Sequence, residues 1–195
     1  MDATTAARAS LADYLTDSQD VLRRTREAGL DDAVERAVAA IVAALGAGRP
    51  VLVAGNGGSM ADALHIAGEL TARFLLERRG LPVIALGTNA STLTAWSNDV
   101  GYVSHLAREV EAYGTSGGVL LALSTSGNSP NIVAAAETAR DREMTVIGLT
   151  GDGGGRLAPL SDILIAVPSR FTPLIQQAHQ ALYHYLCLRV EAALA

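Results

Sequence analysis

The chain lacks the features that would tie it to a nucleic acid, a membrane or an oxidising compartment. Lys and Arg number 15 against 20 Asp and Glu, a net charge of −5, and no basic run reaches four residues. Nucleic-acid binders carry a basic footprint, so that class is disfavoured. The longest apolar stretch, Ala37–Leu45, is nine residues, far short of the roughly 20 that span a bilayer. Residues 1–10 mix Asp2 and Arg8 with small side chains and hold no apolar h-region, so no signal peptide is read there. The single cysteine, Cys187, excludes an internal disulfide and suits a reducing compartment. The expected location is the cytoplasm. Aromatics make up only 4%, with Ala, Leu, Val and Gly in their place, a composition suited to helices packed closely on a sheet.

The 195 residues are 49% hydrophobic and 18% charged, enough for one domain with a sizeable core. Two helices are expected first. Leu11, Tyr14, Leu15, Ser18, Val21 and Leu22 recur at helical spacing, as do Val34, Ala37, Val38, Ile41, Val42 and Leu45. Gly29 separates them, and Gly46, Gly48 and Pro50 end the second. Short apolar runs follow at Val51–Ala54, Val83–Leu86, Val119–Leu123, Thr145–Leu149 and Ile163–Val167, with helix-like segments between them. That alternation predicts an α/β fold with a doubly wound five-stranded parallel sheet. Thr172–Leu194 reads as a closing helix.

In such sheets ligands bind beyond the carboxyl ends of the strands, at the switch in strand order. Gly55-Asn56-Gly57-Gly58-Ser59 follows the first strand and Ser124-Thr125-Ser126-Gly127-Asn128-Ser129-Pro130 the third. The second loop sets four hydroxyls before a helix N-terminus, where free N–H groups and the helix dipole favour an anion such as phosphate. The same residue types also serve as ordinary caps and turns. The first loop lacks the lysine of a nucleotide P-loop and the spacing of a dinucleotide fingerprint, so no nucleotide cofactor is expected.

His65 and Glu69 share one helical face, and Gln176 and His184 lie in the closing helix. Each has a bland alternative, a surface His–Glu pair or a core histidine, and His179 is assigned no chemistry. A phosphate loop, a carboxylate and an imidazole are together the parts that aldose–ketose isomerisation requires, because a proton must move between adjacent carbons through an enediol.

Gly55–Ser59 with His65, Glu69, Leu70 and Thr71 resembles the first signature of the bacterial phosphoheptose isomerases, in the sugar isomerase (SIS) superfamily. Asn98-Asp99, Ser124–Asn128 with Ser129, Leu149-Thr150-Gly151, and Ile175-Gln176 with His184 follow in that family's order, from about residue 10 onward. The resemblance implies a single SIS domain over residues 1–195 in flavodoxin-like strand order, with residues 1–48 as N-terminal helices that contribute to oligomerisation. It implies conversion of sedoheptulose 7-phosphate to D-glycero-D-manno-heptose 7-phosphate, with Glu69 and His184 as the acid/base pair. Asn56, Gly57, Gly58, Glu69, Asn98, Asp99 and Gln176 would contact the sugar, and Ser124, Thr125, Ser126 and Ser129 the phosphate. Some members bind zinc through positions matching His65, Glu69, Gln176 and His184, and members form homotetramers with sites at subunit interfaces. Gln176 and His184 lie about 12 Å apart along one continuous helix. One ion would take both only from a bent helix start or from different chains, and the interface explanation is preferred. Leu174 and Gln177 stand where members often carry Arg and Glu, which bears on substrate choice. The rival readings are a non-catalytic SIS protein that binds a replication initiator, which lacks the Glu and His kept here, and an SIS isomerase or sensor for another sugar phosphate.

Overall fold

The computed structural model describes residues 10–195. The reading of a missing targeting segment therefore falls mainly outside the described residues. Ser10 opens helix α1 (Leu11–Glu27) through a capping box, in which its hydroxyl accepts from the Asp13 N–H and the Asp13 carboxylate accepts from the Ser10 N–H. Gly29, at φ +69°, turns the chain into α2 (Asp31–Gly46).

Five strands follow: β1 (Val51–Ala54), β2 (Val83–Ala85), β3 (Val119–Ser124), β4 (Thr145–Thr150) and β5 (Ile163–Ala166). Each lies within one residue of its expected span. Helices α3 (Gly58–Thr71), α4 (Ala90–Asp99), α5 (His105–Tyr113) and α6 (Pro130–Asp141) lie between strands, and α7 (Thr172–Leu194) closes the chain. The sheet order is β2-β1-β3-β4-β5 and every neighbouring pair is parallel.

Side chains alternate across this sheet. Val51, Val53, Val119, Leu121, Leu123, Ile147 and Leu149 pack under α2, α3 and α7, while Leu52, Ala54, Leu120, Ala122 and Val146 pack under α5 and α6. Burial on both faces explains why the strands read as unbroken apolar runs. The edge strands are less covered: Ile84 of β2 is exposed, and Leu164 and Ala166 of β5 are half-buried. A third cluster joins Val21 of α1 to Val167, Leu174, Ile175 and Ala178. Adjacent β1 and β3 send their following chains to opposite edges of the sheet, so the loops after them border one crevice.

Candidate active site

The turn after β1 is set by glycine. A Cβ on Gly55 would lie 2.2 Å from the Ser59 carbonyl oxygen, so no larger residue permits this turn into α3. Asn56 then reaches across to the start of α6. Its amide and that of Asn131 exchange hydrogen bonds of 2.8 Å in both directions, and the Tyr102 hydroxyl donates to Asn56 Oδ1 at 3.1 Å. In the turn after β3 the Ser124 and Ser129 hydroxyls lie 3.1 Å apart, and Ser126 Oγ accepts from the Asn128 N–H. Ser129 is the N-cap of α6 but makes no side-chain cap bond, and Pro130 opens the helix. The hydroxyls thus cluster at a helix N-terminus suited to an anion.

These loops are tied to α7. Thr125 Oγ1 lies 3.4 Å from Thr172 Oγ1, and the Gln176 amide donates to Ser59 Oγ at 3.4 Å. That amide lies so close over Gly58 that a Cβ there would meet its nitrogen at 2.6 Å. The starts of α3, α6 and α7 are therefore cross-linked at the carboxyl edge of the sheet.

Farther along α3 and α7 three titratable groups converge. His65 Nε2 is 2.9 Å from Glu69 Oε1, one helical turn away, and 3.4 Å from His184 Nε2. The three ligand atoms lie within 4.8 Å of one another. The His65 side chain is 40% exposed and that of Glu69 22%, so the cluster is open to a ligand. Behind it, buried Tyr183 places its hydroxyl 3.0 Å from His65 Nδ1 and 3.3 Å from Asp62 Oδ1. Burial raises the Asp62 carboxyl and, more strongly, the Tyr183 phenol, which keeps its proton. Phe74 stacks on His184, with ring centres 5.8 Å apart.

Two imidazole nitrogens and a carboxylate oxygen form a donor set that suits zinc, and three protein ligands with an open position are the pattern of catalytic sites. Bonds of about 2 Å place ligand atoms about 3.3 Å apart around a tetrahedral ion. The His65 separations of 2.9 and 3.4 Å fit that spacing.

The expected residues thus divide. Glu69, His184 and His65 meet within one chain, and Asn56, Ser124, Thr125, Ser129 and Gln176 belong to the cross-linked loops. Asn98 and Asp99 are exposed at the end of α4 and bond to each other at 2.8 Å, with no side-chain hydrogen bond to those loops among the described residues. Helix α7 is continuous from Thr172 to Leu194, and Gln176 bonds Ser59 rather than the cluster, so His65, Glu69 and His184 meet without it. Leu174 is buried against Val21, and Gln177 donates to the Tyr14 hydroxyl at 3.0 Å. Both departures therefore fasten α1 rather than touch the loops. His179 is fully buried and bonds the Thr150 carbonyl, which accords with a structural role.

Sequence reasoning missed Asn131, Asp62, Tyr183 and Phe74 as parts of this site. Asp62 lies one turn before His65 on the same helical face, a usable signal. Asn131 directly follows the hydroxyl run, but its bond to Asn56 and the stacking of Phe74 on His184 are long-range contacts, which no local pattern reveals.

A hydroxyl-lined helix start at the switch point of a flavodoxin-like sheet makes this an α/β domain with an anion-binding site of the phosphate kind. The SIS domain family matches residues 13–151. The phosphoheptose isomerase of Rhodospirillum rubrum is 53% identical over 83% of this chain and 86% of its own length. The phosphoheptose isomerase structures from Francisella tularensis and Neisseria gonorrhoeae are both 36% identical to this chain. The first superposes with a TM-score of 0.90 over 98% of this chain and 100% of that one. The second superposes with 0.88 over 93% and 97%. The chain belongs to the phosphoheptose isomerase family of SIS-domain proteins.

Proposed function

We infer that this chain isomerises sedoheptulose 7-phosphate to D-glycero-D-manno-heptose 7-phosphate through an enediol. The observation that carries this reading is the convergence of the Glu69 carboxylate with the His65 and His184 imidazoles on the helices that close the crevice, in a member of this family. Ser124, Thr125, Ser126 and Ser129 hold the phosphate at the start of α6, with hydroxyl and N–H donors in place of lysine. Asn56, Gly57, Gly58 and Gln176 orient the sugar chain, and Asn98 and Asp99 complete that contact. Glu69 removes the proton from one carbon and returns it to the next, while His184 moves the proton on oxygen. His65, Glu69 and His184 would hold a zinc ion, with Gln176 the fourth member of the expected set. When bound, zinc polarises a substrate oxygen. A homotetramer with sites at subunit interfaces is supported by exposed Leu64, Leu75, Leu76 and Leu188, which neighbour the converging groups in sequence. No helix among the described residues is long and apolar enough to cross a membrane. The cytoplasmic assignment rests on the lone, free Cys187.

The test is incubation with sedoheptulose 7-phosphate in D₂O, with and without zinc. The aldose should appear with solvent deuterium at C2. Glu69→Gln should lower kcat by about 10²–10⁴ with little change in KM. No product from the wild-type chain, or normal turnover by Glu69→Gln, would overturn the assignment.

A further inference from the structure

We propose that Tyr183 is a positioning residue, whose hydroxyl bridges Asp62 and His65 so that His65 presents the Nε2 lone pair to a divalent cation shared with Glu69 and His184. The proposal rests on the metal reading above and concerns how this chain prepares a ligand. Tyr183 is 1% exposed, and its ring packs edge-on against His65 with centroids 5.5 Å apart. Its hydroxyl has one proton and three polar neighbours, Asp62 Oδ1 at 3.3 Å, His65 Nδ1 at 3.0 Å and the Gln180 side-chain amide, which donates to it. An ionised carboxylate only accepts, so the phenolic proton goes to Asp62. The phenol oxygen then accepts from the His65 Nδ1–H. With a proton on Nδ1, the neutral imidazole carries its lone pair on Nε2.

That nitrogen points to Glu69 Oε1 at 2.9 Å and His184 Nε2 at 3.4 Å. Acceptor atoms so close repel unless a cation or a proton lies between them, so the bridge prepares the three groups for a cation. Asp62 Oδ2 is buried without a hydrogen-bond partner, so Tyr183 is the one group bonded to this carboxylate among the described residues. A carboxylate that acts through a hydroxyl on the far nitrogen of a ligand histidine fixes both its tautomer and its ring orientation.

The experiment measures zinc affinity by competition with a chromophoric chelator, without substrate, in the wild-type chain, Tyr183→Phe and Asp62→Asn. Tyr183→Phe keeps the buried ring, and Asp62→Asn leaves Tyr183 itself untouched. Both should weaken zinc binding by about 10- to 100-fold with a melting temperature near that of the wild type. In zinc-loaded, ¹⁵N-histidine-labelled wild-type protein, the His65 Nδ1–H should appear as a slowly exchanging resonance that Tyr183→Phe loses. Wild-type zinc affinity in either variant would overturn the proposal, as would His65 bound to zinc through Nδ1. If Tyr183→Phe fails to fold, Asp62→Asn and the wild-type spectrum still decide. A wild-type chain that binds zinc but does not turn over the heptose phosphate would sink the isomerase reading and leave this one standing.

Discussion

Hydroxyls, not ammonium groups, line the turn after β3. All 15 basic residues of the chain are arginines, and none lies between Ser124 and Ser129. A phosphate there would depend on neutral donors and the start of α6. Ser124→Ala and Ser126→Ala should therefore raise KM about tenfold or more, with kcat little changed, in steady-state assays. His179 illustrates the opposite fate of a polar residue. Burial pushes it down to about 4, against the pull of its hydrogen bond to Thr150. Its folded value lies below the unfolded 6.5, so the unfolded chain binds the extra proton as pH falls. The stability that His179 contributes by staying neutral is complete above about pH 6.5 and is lost between there and about 4. The loss is on the order of 3 kcal/mol. Denaturant midpoints measured across that window should fall for the wild type and less steeply for His179→Gln.

Between α3 and β2 the chain has little regular structure, yet it is firmly held. The buried Glu191 carboxylate accepts from the N–H groups of Phe74, Leu75 and Leu76 at 2.6–2.9 Å, and its Oε1 lies 3.2 Å from Arg78 Nε. Burial raises this carboxyl, but the N–H groups and Arg78 outweigh it and hold it below its usual value. Arg78 in turn donates to the carbonyls of Glu69 and Ala72. The segment that lays Phe74 on His184 is therefore anchored from the last turns of α7. Glu191→Gln should cost about 3–5 kcal/mol by leaving Arg78 buried without its counter-charge, read as a lowered denaturation midpoint. Helix α1 is attached more lightly, with only Val21 and Thr25 buried.

For the whole molecule, the expected assembly is a tetramer of the 20.2 kDa chain, to be checked by light scattering. Leu188→Arg, one turn beyond His184, should lower the measured mass and activity together if the sites lie at the interface. Val51–Ala54, the hydroxyl run and the 172–194 helix were legible in the sequence because strand and helix periods, turn residues and caps are local signals. The His65–Glu69 face was legible for the same reason, since four residues make one helical turn. Local order could not reveal that His184, 119 residues after His65, comes within 3.4 Å of it. Nor could it show that Tyr183 stands behind His65. Those outcomes depend on how α3 and α7 pack over one face of the sheet, where side chains distant in sequence meet at distances set by core packing. The chain's own order determined the elements and the chemical types available at their ends; packing alone decided which of those groups face one another.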